Sequence, residues 1–213
     1  MNVKLALSIT ATSQTQLERQ VKIGSSLTRH LHLDVMDGRF VRTRSCPPRT
    51  AATLPRGYQY DLHAMVDRID PWFMVIDQLQ PRRVFIHVEN GYSLPIMIAG
   101  LRSRRQTVGL AINPGTPLKK LWPWLRIVKD IMIMGVNPGH YQAPFQHAAI
   151  RRIRQLRLSY PSHHLICDGG MHPGTIPLAI KAGLNEIVIG SEVMLSPDPP
   201  LAWQSVQRLC KTL

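Results

Sequence analysis

Eight short apolar runs recur at a steady interval along the chain, and this regularity constrains the fold more than any other feature. They are Lys4–Ile9, His30–Val35, Tyr58–Met65, Arg83–Val88, Thr107–Ile112, Ile131–Val136, His164–Cys167 and Glu186–Ile189. Each is rich in Val, Ile, Leu or Phe and closes on Gly, Pro, Asp or Asn, as buried strands do. The intervening segments Gln14–Ile23, Pro71–Leu79, Leu94–Leu101, Pro117–Leu125, Phe145–Leu158, Thr175–Ala182 and Leu201–Leu209 have helical patterns. Pro47–Leu54 is proline-rich and carries no clear helix signal. Strand alternating with helix predicts a parallel sheet. Eight units in 213 residues give about 27 residues each, which predicts a single (β/α)8 TIM barrel spanning residues 1–213. A doubly wound open sheet is the alternative. No linker or composition shift marks a second domain.

Composition narrows the setting. A hydrophobic content of 44% with 18% charged residues excludes a disordered chain. Cys46, Cys167 and Cys210 are widely spaced and form no CxxC pair, which argues against a disulfide scaffold or a cysteine zinc site. Such usage suits a reducing compartment. No apolar run approaches the roughly 18 residues of a membrane span, and the apolar stretch in MNVKLALSITATS is too short for a secretory signal. A soluble cytoplasmic protein is expected. The net charge of +13 raises a nucleic-acid partner. The basic residues cluster at Arg102, Arg104 and Arg105 and at Arg151, Arg152, Arg154 and Arg157, with no interleaved aromatics and no recognition motif. A solvated helix face is the simpler reading, and nucleic acid is not an expected partner.

In a barrel, active residues sit at the C-terminal strand ends and in the loops that follow. Side chains alternate along a strand, so His32, Asp34 and Met36 share one face, as do Asp61, His63 and Met65. Strand seven ends at Asp168, before Gly169 and Gly170. Two imidazoles and two carboxylates could therefore converge at the barrel mouth. Zinc, iron, manganese or cobalt would accept that donor set. Taken singly, a strand histidine is more often a hydrogen-bonded core residue; the combination says more, because unpaired buried charges are costly.

The chain resembles the ribulose-phosphate 3-epimerase family over nearly its whole length. The matching stretches are Leu31–Val41 (LHLDVMDGRFV), Asp61–Val66 (DLHAMV), Gly109–Pro117 (GLAINPGTP), Met134–Gly139 (MGVNPG), Cys167–Gly170 (CDGG) and Ala182–Ser191 (AGLNEIVIGS). The resemblance implies that His32, Asp34, His63 and Asp168 bind a divalent metal, with Asp34 and Asp168 also the acid–base pair. It implies substrate contacts from Ser8, His63 and the methionines Met36, Met65 and Met134. It places Gly139, Gly169, Gly170, Gly190 and Ser191 around the substrate phosphate. The activity implied is epimerisation at carbon 3 of a ketose phosphate, with D-ribulose 5-phosphate the leading substrate and a homo-oligomer the expected assembly. A hexulose phosphate (allulose 6-phosphate-like) substrate is one alternative. A paralogue that binds a sugar phosphate or polyanion without turnover is another. The chemistry is coherent, because two carboxyl groups on opposite sides of the substrate can remove a proton and return one to the other face. Backbone N–H groups exposed by glycine, helped by a helix N-terminus, would hold the phosphate.

The sixth loop departs from the resemblance. The family usually continues PGFGGQ, whereas here Tyr141 and Gln142 stand in place of the glycine pair. A glycine with positive φ is not freely replaced by tyrosine, so a different loop path or a different phosphate hold is expected. The stretches Thr10–Ser13 and Arg42–Pro48 depart as well. Arg82, Arg83 and 102–105 precede strands four and five and so fall on the face opposite the active site. Only Arg39 and Arg42, after strand two, are placed to steer an anionic substrate.

Overall fold

Strands of β-branched and aliphatic residues alternate with helical connections through the whole computed structural model, which describes residues 3–212. The strands are β1 Lys4–Ile9, β2 His30–Met36, β3 Gln59–Met65, β4 Arg83–His87, β5 Val108–Ile112, β6 Asp130–Met134, β7 His164–Asp168 and β8 Glu186–Ile189. They follow one another in sequence order in a closed barrel, with parallel pairing. The barrel expectation is borne out, and the open sheet is excluded. The helices are α1 Gln14–Leu27, α2 Pro48–Ala51, α3 Phe73–Leu79, α4 Leu94–Ser103, α5 Ala148–Ser159, α6 Ile176–Lys181, α7 Ser191–Met194 and α8 Pro199–Thr212. Among the described residues no helix is long and apolar enough to cross a membrane. The chain divides into two compact units, Leu7–Gly109 and the remainder.

In the first unit, β2 and β3 pair along their full length. Their register sets His32 beside Asp61, Asp34 beside His63 and Met36 beside Met65. The other face of β2 carries Leu31, Leu33 and Val35, all buried. Both faces of a parallel strand are covered, which is why these strands read as near-continuous apolar runs. Helix α1 starts at an N-cap, Ser13, whose hydroxyl accepts the Gln16 N–H. The helix expected over Gln14–Ile23 runs on to Leu27. The helix continues because Gly24 lets it lie against the strands: a Cβ there would meet Leu31 Cδ2 at 3.0 Å and Ile9 Cδ1 at 3.2 Å.

In the second unit, β6, β7 and β8 pair so that Met134 lies beside Asp168, and Asp168 beside Val188. Helix α5 buries Ala149, Ile153 and Leu156. Two of its arginines are not mere surface charge. Arg152 donates to the carbonyls of Asn113, Pro114 and Thr116, and Arg157 donates to those of Pro161, His163 and Gly183. They tie down loops by donating to backbone carbonyls that lie outside the strands and helices. The helix expected over Pro117–Leu125 is a 3-10 stretch, Leu118–Trp124, because Pro123 removes a donor inside it. Helix α8 starts earlier than expected, since Pro199 and Pro200 are tolerated in a first turn.

Candidate active site

The Asp34 carboxylate lies at the C-terminal end of β2 and organises the polar cluster of the first unit. Its Oδ2 accepts hydrogen bonds from Ser8 Oγ at 2.7 Å and from Thr10 Oγ1 at 2.6 Å. Its Oδ1 lies 2.8 Å from Nδ1 of His63 and 3.7 Å from Nε2 of His32. Burial pushes the Asp34 pKa up, but the His63 hydrogen bond, the nearby His32 and His63 charges and Thr10 outweigh it and hold it at about 2. Asp34 is therefore an ionised carboxylate at neutral pH. His32, Asp34 and His63 offer ligand atoms within 4.8 Å of one another, and all three are buried. Two imidazoles and a carboxylate suit zinc, iron, manganese or cobalt, so the donor set fits a divalent metal.

The cluster continues beyond the residues the sequence singled out. Nε2 of His63 lies 2.8 Å from Nε2 of His87, the last residue of β4. Nδ1 of His87 lies 3.2 Å from Glu89 Oε2. The His63 and His87 ring planes are within 22° of parallel. Phe40 packs on His87, with ring centroids 4.7 Å apart. Thr10, His87 and Glu89 were not foreseen. The signal was spacing: Thr10 is two residues beyond Ser8, and His87 closes its strand as His63 nearly does in β3.

Other motif residues make contacts that shape the surrounding structure. Asp37 Oδ1 accepts the N–H groups of Arg39 and Phe40, and Oδ2 accepts that of Asp67. The carboxylate of the DG pair thus shapes the loop over β2 and β3. Met36 and Met65 form a buried group with Val41, against which Phe40 packs. Asp61 shares the strand face of His63 but sits at the other end of β3. It is fully buried and receives Arg82 Nε at 3.0 Å, Arg82 Nη2 at 2.9 Å and Arg83 Nη2 at 2.8 Å, beside His30. Burial opposes its charge, but His30, Arg82 and Arg83 hold its carboxyl far below the usual range. Arg82 and Arg83, expected on the face opposite the active site, are thus partners of a buried carboxylate.

In the second unit, Asp168 is buried at the end of β7, where its carbonyl accepts the Gly135 N–H at 2.6 Å. Met134 is its buried neighbour on β6. Gly169 and Gly170 turn the chain with φ of 91° and 68°. A Cβ on Gly170 would approach Phe145 Cα to 2.9 Å, so this turn is closed to other residues. Gly170 and Ser191 line a cavity of about 800 Å³ together with Gln142, His147, His172 and Glu192. Gly139, Gly169 and Gly190 are not among its lining residues. In loop six, Gln142 adopts φ 64° and Gly139 φ 79°. The backbone keeps a left-handed residue at Gln142 although no glycine is there, at a cost of about 1–2 kcal/mol. Helix α7 has only four residues, so the expected helix contribution to phosphate binding is small.

A parallel barrel with a buried imidazole–carboxylate cluster at its strand ends defines the class: a barrel enzyme with a candidate metal centre. The model of the ribulose-phosphate 3 epimerase family matches residues 4–194, and the chain belongs to that family of isomerases. It is 31% identical to ribulose-phosphate 3-epimerase of Rhodobacter capsulatus over 197 residues, covering 90% of this chain and 86% of the relative. It is 27% identical to the cytoplasmic isoform of ribulose-phosphate 3-epimerase of Oryza sativa subsp. japonica over 195 residues, covering 89% and 84%. The fold is shared with 3-hexulose-6-phosphate synthase from Salmonella typhimurium, at a TM-score of 0.75 and 10% identity over 99% of both chains.

Proposed function

We propose that this chain epimerises carbon 3 of a ketose phosphate, converting D-ribulose 5-phosphate to D-xylulose 5-phosphate, with the barrel over residues 1–213 acting as one catalytic domain. The observation that carries the reading is the ionised, buried Asp34, fixed by Ser8, Thr10 and His63 at the end of β2. A base must be ionised and immobile to meet a weakly acidic C–H. Asp34 takes the carbon-3 proton from one face of the substrate. Asp168 delivers a proton to the opposite face, and the reverse reaction exchanges the roles. His32, Asp34, His63 and Asp168 would hold a divalent metal. When bound, that ion supplies Lewis-acid stabilisation of the negative charge developing on the substrate oxygens.

Met36, Met65 and Met134 line the reacting carbons in this reading. Their apolar, adaptable side chains exclude water without competing for the proton. Gly139, Gly169, Gly170, Gly190 and Ser191 receive the phosphate, and His147 and His172, which line a cavity with Gly170 and Ser191, are further donors. Ser8 serves both Asp34 and the substrate. The proposal includes a cytoplasmic setting and a homo-oligomer. It is supported by the relatives, which carry the epimerase name over most of their length. A panel of ketopentose and ketohexose phosphates, run with several divalent metals, tests it. Turnover of D-ribulose 5-phosphate that needs metal supports the reading. Metal binding and ligand binding without turnover of any member would replace it with a binding role.

A further inference from the structure

We propose that Glu89, acting through His87, fixes the tautomer of His63 and so keeps Nδ1 of His63 available as a metal ligand; this rests on the metal-site reading above. The four groups form one line: Asp34 Oδ1 to His63 Nδ1 at 2.8 Å, His63 Nε2 to His87 Nε2 at 2.8 Å, and His87 Nδ1 to Glu89 Oε2 at 3.2 Å. Each contact between two of these groups needs one proton. Two neutral imidazoles carry two N–H protons, one short of the three contacts. An ionised carboxylate only accepts, so the contact at Glu89 takes the Nδ1–H of His87. His87 Nε2 is then an acceptor; a His63 that donated Nδ1–H to Asp34 would set two Nε2 lone pairs against each other at 2.8 Å, whereas a His63 whose Nδ1 is given to a metal donates its Nε2–H there. In that metal-bound arrangement the contact left without a proton is the one between His63 Nδ1 and Asp34 Oδ1, which is a hydrogen bond when no metal is there. There a lone pair and a carboxylate oxygen face each other, and a cation placed between them satisfies both.

The opposite order would begin with a His63 Nδ1–H donated to Asp34 and would end with a His87 lone pair against Glu89. That order fills the ligand position with a proton. Glu89 therefore biases the chain toward the metal-receptive arrangement, and His87 transmits the bias. The surroundings hold His87 in place for this. It is fully buried, Phe40 packs on its ring at 4.7 Å, and its ring lies within 22° of parallel to that of His63. Carboxylate or carbonyl partners behind metal-bound histidines act in this way generally, fixing tautomer and ring orientation. His87 and Glu89 are positioning residues here, since neither is assigned to the substrate or the metal.

The test uses zinc affinity by chelator competition, with ¹⁵N NMR of the histidine rings in the zinc-loaded chain. His87→Phe keeps ring volume and removes the acceptor. His87→Gln restores an acceptor near the Nε2 position. Zinc binding should weaken about 10–100-fold in His87→Phe and largely recover in His87→Gln. Glu89→Leu should weaken it too, and the double variant His87→Phe with Glu89→Leu should be no worse than His87→Phe alone, because both act along one path. The His63 ring should carry its proton on Nε2 in the parent. Parent-like zinc affinity in His87→Phe, additive losses in the double variant, or a proton on His63 Nδ1 would overturn the relay while leaving the metal site intact. A parent chain that binds no zinc would contradict the metal-site reading itself and overturn the relay with it.

Discussion

Asp34 and His63 stand opposite each other in the β2–β3 ladder, with Oδ1 and Nδ1 2.8 Å apart. A full-length register between two strands brings one carboxylate and one imidazole to the same depth, and a one-residue slip would turn either away. His63→Ala should therefore lose the metal. Parent protein should carry about one divalent ion per chain and the variant close to none. Metal analysis after dialysis checks this, and unchanged stoichiometry would remove His63 from the ligand set.

Asp61 tests the barrel's other end. Asp61→Asn leaves the buried Arg83 guanidinium facing a neutral amide, while Arg82 loses the same partner. Breaking a buried pair from one side costs about 3–5 kcal/mol. Urea denaturation should show a loss of that order. A loss under about 1 kcal/mol would mean that water or another group takes over the carboxylate's role.

Loop six carries a conformational cost that can be removed. Gln142 holds φ 64°, and Gln142→Gly should stabilise the fold by about 1 kcal/mol. With Tyr141→Gly added, the loop gains freedom to close over the phosphate end, and the Michaelis constant for D-ribulose 5-phosphate should fall with metal content unchanged. If the double variant instead binds substrate worse, the Gln142 side chain is itself a phosphate donor.

The thiols should be silent in the native state. Cys46, Cys167 and Cys210 are all buried. Burial raises each thiol, Cys210 to about 11, and at Cys167 the adjacent Asp168 charge adds to it. Little thiolate is present at pH 8, so a thiol reagent should react slowly with native protein and release three equivalents after denaturation. Fast reaction of one thiol in native protein would locate a local opening near that residue.

Much of this molecule is legible in its sequence because barrel strands are buried on both faces. β1 and β8 fall where the apolar runs end. His32, Asp34 and His63 are visible because alternation places them together without knowledge of the turns. What is hidden depends on contacts across strands far apart in sequence. Asp61 has the same period as His63, and only its place at the other end of β3 gives it to Arg82 and Arg83. His87 has no motif of its own, and its meaning comes from Nε2 of His63 at 2.8 Å. Arg152 and Arg157 resemble a solvated helix face until the loop carbonyls they hold are seen.

The central claim is a two-carboxylate proton transfer, and the most direct measurement is turnover of D-ribulose 5-phosphate in D2O with a divalent metal present. When one carboxyl removes the proton and another delivers its replacement, every molecule of D-xylulose 5-phosphate formed carries solvent deuterium at carbon 3. Asp34→Asn and Asp168→Asn should each lower turnover by about 10²–10⁴-fold or more. Product that keeps the substrate's own hydrogen at carbon 3, or near-parent turnover in Asp168→Asn, would contradict the account.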